Sequence, residues 1–158
     1  MGDATTPTVA SAPGKCILFG EHAVVYGQPA VAVAIEQRLT ASLSPATTWS
    51  VDGSPLSKKK HPHIVMLKEA LMDEDTPAAM HISGDIPNAS GLGSSAALSA
   101  AVGAAMHRLS DEQGPLDRDR LSALAHLAEA QAQNGRASPM DASTSVEGGV
   151  VILSNVRE

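Results

Sequence analysis

A glycine- and serine-rich turn at residues 88–97 is the feature that most constrains the fold of this chain. Its sequence is NASGLGSSAA, and it lies between a short strand-like segment and a long alanine-rich helical stretch. The two glycines let the backbone approach a ligand closely, and the free N–H groups and positive dipole end of the following helix attract an anion. The turn therefore predicts a strand–turn–helix unit that binds a nucleotide phosphate, with an ordinary surface loop as the alternative.

The order of the elements that periodicity predicts indicates the fold class. Strands are predicted at residues 15–20, 30–43 (one long strand or a bent pair), 47–51, 80–86 and 149–153, and helices at residues 63–72, 95–109 and 116–133. Because this order lacks strict βαβ alternation, we predict an α+β fold, a two-layer α/β sandwich. The turn also lacks the GxGxxG pattern of a Rossmann fold and the lysine of a Walker A loop.

Composition and charge limit the partners. The chain has 158 residues, 43% hydrophobic and 2% aromatic, which is enough apolar content for one domain core but offers few rings for base stacking. A net charge of −6 opposes nucleic-acid binding. The single cysteine, Cys16, favours a reducing compartment, and no apolar stretch approaches the ~18 residues of a membrane span. With no secretory leader at the N-terminus, we expect a cytoplasmic protein that binds neither nucleic acid nor membrane.

A second segment, residues 12–27, places a cation, a carboxylate and an imidazole around one strand and the turn after it. Its sequence is APGKCILFGEHAVVYG. Lys15 has the charge to pair with a phosphate or to lower the pKa of a nearby acid. Glu21 and His22 have the groups to hydrogen-bond a hydroxylated or carboxylated substrate. The alternative is that each is an ordinary surface group, which is the commoner situation for such residues taken singly.

A third segment, residues 135–145, carries an aspartate for which two interpretations stay open. Asp141 has the side chain of a helix N-cap. As a functional group, it would orient or deprotonate an alcohol that attacks a γ-phosphate. Glu129, on the preceding predicted helix, would supply a carboxylate that holds Mg²⁺ together with a loop serine.

These three segments, in this order, resemble the GHMP kinase superfamily over essentially all of the chain. The segments that carry the resemblance are PGK at 13–15 with FGEHAVVYG at 19–27, GLGSSAA at 91–97 and SPMD at 138–141. The first is similar in particular to the signature of the mevalonate kinases. The resemblance implies that residues 1–158 form an N-terminal ATP-binding domain. It also implies that the superfamily's C-terminal domain, with a third glycine-rich motif, is absent from this chain.

The activity implied by the resemblance is ATP-dependent phosphorylation of the 5-hydroxyl of mevalonate, as a step in isoprenoid precursor biosynthesis. Asp141 would accept the hydroxyl proton or orient the hydroxyl. Lys15 would lie near both Asp141 and the transferred phosphate and keep the aspartate ionised. Glu21 and His22 would line the mevalonate pocket.

The resemblance also assigns the ATP and Mg²⁺ sites. The ATP phosphates would be bound along the turn, by Ala89, Ser90, Gly91, Leu92, Gly93, Ser94 and Ser95. Ser95 and Glu129 would hold Mg²⁺. Two departures stand against the superfamily pattern: Ala89 replaces a glycine, and Glu129 lies twelve positions before Asp141, one more than expected. Either the connection bulges near Gln133, or another group supplies the metal ligand.

Two other functions remain open from the sequence. One is a sibling kinase of the superfamily that acts on another small alcohol or on phosphomevalonate. The other is a truncated, non-catalytic module that binds ATP or associates with a partner. The sequence leaves a homodimer open as well.

Overall fold

The computed structural model describes residues 6–22, 26, 28–73, 76–87, 90–110, 114–133 and 137–154. Within these residues, six strands form one mixed sheet, and four helices pack with it. The strands are β1 (Thr8–Phe19), β2 (Ala30–Pro45), β3 (Ser50–Val51), β4 (Ser54–Pro55), β5 (Ala78–Gly84) and β6 (Val150–Leu153). The helices are α1 (Pro62–Leu71), α2 (Ser94–Leu109), α3 (Arg118–Ala132) and α4 (Pro139–Glu147).

Strand β2 organises the sheet. It is 16 residues long, and β1 pairs with it in antiparallel orientation along one edge. Its other edge is shared, because β6 pairs with Ala30–Val33 and β5 pairs with Leu39–Pro45. The short β3 runs parallel to β5 and forms a hairpin with β4 around the turn at Asp52 and Gly53. The sequence at residues 30–43 therefore forms one long strand rather than a bent pair.

The helices pack through small residues. Helices α2 and α4 lie on the sheet, and α1 and α3 pack against α2 and against each other. A Cβ added at Gly103 of α2 would lie 2.5 Å from Leu121 Cδ1 of α3, so this glycine permits the close approach of the two helices. The alanines of α2 are almost wholly buried, as the alanine-rich sequence predicts; they include Ala96, Ala97, Ala100, Ala101 and Ala105.

Strand β1 begins at Thr8, seven residues before the predicted start at Lys15. Pro13 and Gly14, which precede the predicted strand, also lie within β1. The pairing with β2 shifts register between Pro13 and Lys15, and this irregularity accommodates the proline inside a ladder. Because β1 continues on both sides of Lys15, its pairing with β2 holds the backbone before and after this residue in place.

Helix α4 was not predicted as a helix. Ser138 is its N-cap, and Pro139 opens its first turn, where the fixed φ of proline suits a helix start. Asp141 lies within that first turn, so the interpretation of Asp141 as the N-cap is wrong.

One end of the sheet exposes apolar side chains on the face away from Met140 of α4. Phe19, Val31 and Ile152 are directly opposed across β1, β2 and β6, and Cys16, Val33 and Val150 form the next row. We call these six residues the apolar patch. Phe19 is 71% exposed, Ile152 67% and Val150 63%. Among the described helices, none combines the length and hydropathy required to cross a bilayer.

Candidate active site

An ion pair between β1 and α4 lies at the centre of the candidate site. Lys15 Nζ is 3.2 Å from Asp141 Oδ2, and the two side chains are 8% and 22% exposed. Asp141 reaches this place because α4 begins at Pro139, which puts the carboxylate in the first helical turn. The positive end of the helix dipole favours a negative charge there. The structure therefore brings together the two residues that the sequence proposed as catalytic.

Glu129, near the end of α3, adds a second carboxyl group beside this pair. Glu129 is only 3% exposed, and its Oε2 is buried without a hydrogen-bond partner among the residues described. Burial is the main cause that raises the pKa of Glu129 to about 7, the charge of Asp141 raises it further, and Lys15 opposes both. This mutual influence places Glu129 at the Lys15–Asp141 pair.

The carboxylates fit a hard divalent cation. Asp141 Oδ1, like Glu129 Oε2, is buried and has no hydrogen-bond partner within the described part of the chain. A cation would supply the missing interaction and would offset the cost of two close carboxylates. No group of three or more metal-binding side chains occurs in the ranges that the structure describes. Mg²⁺ does not require one, because it is commonly bound through one or two carboxylates plus substrate phosphates.

The glycine turn lies against Lys15. Gly91 and Gly93 both adopt left-handed φ values, 74° and 73°, and Gly93 is the N-cap of α2. The Lys15 backbone N–H donates to Leu92 O at 2.8 Å, which fastens the turn to β1. Because Gly93 has no side chain to accept from the first N–H groups of α2, these donors are available to an anion. Ser94 and Ser95 open the helix, and Ala89 lies outside the described residues.

The predicted substrate residues are exposed to solvent. Glu21 and His22 form an exposed turn after β1, beyond Gly20 with its φ of 86°. Residues 23–25 and 27 of the same segment, and residues 134–136 before α4, lie outside the described residues. The predicted bulge near Gln133 therefore falls next to residues outside the described part of the chain.

Two buried serines near the site were not predicted from the sequence. Ser99 and Ser145 are 0% and 2% exposed, and the hydroxyl of each has no hydrogen-bond partner within the part of the chain that is described. A signal was present, because Ser99 is four residues after Ser95 and Ser145 is four residues after Asp141. Residues four apart share a helix face.

Fold and site together define a class of protein: an α+β domain in which a glycine turn at a helix N-terminus contacts the lysine of a lysine–carboxylate pair. Residues 62–149, more than half of the chain, match the family profile described as the GHMP kinases N terminal domain. The chain belongs to the GHMP kinase family.

The particular members that the chain resembles are mevalonate kinases. It is 39% identical over 157 residues to that of Methanothermobacter thermautotrophicus, covering 94% of this chain and 50% of the relative. It is 40% identical over 147 residues to that of Archaeoglobus fulgidus, covering 89% and 51%. The crystal structure of the Methanococcus jannaschii mevalonate kinase superposes with a TM-score of 0.80 at 26% identity, covering 98% of this chain and 56% of that chain.

These comparisons confirm the predicted fold, a sheet-and-helix domain of the GHMP kinase N-terminal type. The chain spans about half the length of the curated relatives it matches.

Proposed function

We propose that these residues form the ATP-binding half of a kinase that phosphorylates the 5-hydroxyl of mevalonate, giving 5-phosphomevalonate and ADP. The observation that carries the proposal is the Lys15–Asp141 pair, at 3.2 Å, packed against the glycine turn that opens α2. Family membership and the identity to mevalonate kinases support the substrate.

In the proposed reaction, the mevalonate hydroxyl attacks the γ-phosphorus of ATP. The new oxygen–phosphorus bond forms as the bond to the ADP oxygen breaks, and Asp141 orients the hydroxyl and accepts its proton. The Lys15 ammonium lies where it can attract both the Asp141 carboxylate and the transferred phosphoryl group. The turn around Gly91 and Gly93 and the first N–H groups of α2 bind the phosphates.

Ser95 and Glu129 are the residues that would hold Mg²⁺. The ion, when bound, would neutralise charge on the phosphate oxygens. The unpartnered Oε2 of Glu129 and its burial beside Asp141 support this assignment. Glu129 would lose its proton on loading, and the ion would offset the cost of a second buried negative charge beside Asp141.

Glu21 and His22 are proposed to contact mevalonate from the exposed turn after β1. The relatives are about twice as long as this chain. We propose that the remainder of such a full-length protein, corresponding to the C-terminal domain of the family, closes the cleft over these residues.

An assay of ADP release by the full-length protein tests the function. Wild type should turn over with mevalonate and far more slowly with phosphomevalonate, homoserine or galactose. Asp141→Asn should lower kcat by roughly 100-fold to 10,000-fold, the usual contribution of a general base. Asp119→Asn is the matched control, because Asp119 is also an aspartate in the first turn of a helix but is exposed on α3.

Preference for homoserine or galactose would overturn mevalonate as the substrate. Equal kcat for wild type and Asp141→Asn, with mevalonate as substrate, would remove Asp141 from its role and leave the substrate assignment in place.

A further inference from the structure

The two glycines of the turn have the same backbone conformation but different surroundings. Gly91 and Gly93 have φ values of 74° and 73°. A Cβ added at Gly91 would meet nothing within 4 Å. A Cβ added at Gly93 would lie 2.8 Å from Lys15 Cγ and 3.1 Å from Lys15 Cε. The strain of a side chain at positive φ is therefore common to both positions, whereas a collision with Lys15 is specific to Gly93.

Lys15 has little room to move away from such a collision. Lys15 is 6% exposed, and its backbone N–H donates a hydrogen bond to Leu92 O at 2.8 Å. Its ammonium, at the other end of the side chain, is held by Asp141 at 3.2 Å. The predicted collision is at Cγ, close to the backbone, where a rotation would carry the whole side chain and the ammonium with it.

The backbone of β1 reinforces this contact. A Cβ added at Gly14 would lie 2.7 Å from Leu92 O, so the strand and the turn touch without an intervening side chain. Gly14, which lies against Leu92 O, and Gly93, which lies against Lys15, thus both allow the turn to pack closely on β1. The turn and the lysine behave as one packed unit.

We propose that Gly93 is a positioning residue for the catalytic pair. Because Gly93 has no side chain, the aliphatic chain of Lys15 can pack directly against it. This contact sets where the Lys15 ammonium meets Asp141. This inference rests on the proposed function, because it assigns the pair to catalysis. It assigns Gly93 a second role besides the close approach of the turn to phosphate.

Kinetics of Gly91→Ala and Gly93→Ala in the full-length protein separate the two roles. Both variants should raise the KM for ATP, since both strain the turn. Gly93→Ala should in addition lower kcat by roughly 100-fold more than Gly91→Ala does, because displacement of a catalytic group by about 1 Å costs about that much. Equal kcat values for the two variants would overturn the proposal.

A double-mutant cycle tests the contact without using activity. In the wild-type background, Gly93→Ala should lower the urea midpoint of unfolding more than Gly91→Ala does. In a Lys15→Ala background, where Cγ is gone, the two glycine substitutions should lower it equally. A difference that persists without the lysine chain would refute the contact. If wild type fails to phosphorylate mevalonate while the cycle behaves as expected, the proposed substrate is wrong and the seating of Lys15 stands.

Discussion

Replacing Glu129 by glutamine should stabilise this protein above neutral pH, although it removes a group from the candidate active site. The carboxyl is buried, and its pKa rises from the usual 4.5 to about 7 in the fold. In the unfolded chain it titrates normally. Between these two pKa values the folded protein holds a proton that the unfolded chain has released.

The sign and size of the effect follow from this difference. Because the folded state binds the extra proton, the free energy of unfolding falls as pH rises from 4.5 to about 7 and then levels off. At ~1.4 kcal/mol for each pH unit, the loss reaches about 3 kcal/mol. The amide of the substituted side chain would carry no charge at any pH. Glu129→Gln should therefore unfold at nearly the wild-type free energy at pH 4.5 and be more stable by up to about 3 kcal/mol at pH 8.

Urea unfolding of the metal-free protein at pH 5, 6, 7 and 8 measures the effect. The quantity of interest is the free energy of unfolding of Glu129→Gln minus that of wild type, since carboxylates that do not interact with Glu129 cancel in the difference. Glu69→Gln is the control, because Glu69 is an exposed glutamate on α1. A difference that stays constant from pH 5 to pH 8 would refute the reasoning, and so would an equal response from the Glu69 variant.

Three further outcomes are expected. Affinity for Mg²⁺, measured by calorimetry with MgATP at pH 6 and pH 8, should be higher at pH 8, because Glu129, the proposed ligand, would have to ionise to bind the metal. Affinity independent of pH would argue for another ligand. Gly103→Ala should destabilise the protein by about 1–3 kcal/mol in thermal unfolding, since its Cβ would lie 2.5 Å from Leu121 Cδ1. Adding Leu121→Val should cost less than the sum of the single changes, and strict additivity would contradict the contact. Asp117→Ala should cost about 1 kcal/mol, because the Asp117 side chain accepts from Arg120 N at the start of α3; Asp119→Ala, without this bond, should cost less.

The amino-acid sequence predicts those helices and strands that have a clear residue pattern or a clear start signal. The helix α2 follows from its alanine content and from the glycine turn before it, and β2 follows from its run of β-branched residues. Helix α4 was missed because its sequence, PMDASTSVE, is rich in residues of modest helix propensity. The Ser138–Pro139 start was the available signal.

The sequence predicts which residues belong to the candidate site, but it predicts neither their contact nor the raised pKa of Glu129. Lys15, Asp141 and Glu129 were all singled out in the sequence from their side-chain chemistry, and the resemblance specified their roles. Their contact depends on the irregular pairing of β1 near Pro13 and on the packing of α3 against α4, and neither has a local signature. For the same reason, the raised pKa of Glu129 could not be anticipated, since burial is a property of the assembled helices.

The six-residue apolar patch affects how this polypeptide behaves in the laboratory. Residues 1–158 expressed by themselves would present Phe19 of β1 and Val150 and Ile152 of β6 to water on either side of β2, a surface that favours self-association. Lysine at positions 150 and 152 would place charge on that face while leaving the opposite face, with Met140 and α4, unchanged. Such a variant offers a practical route to a monodisperse form of the proposed ATP-binding half for titration.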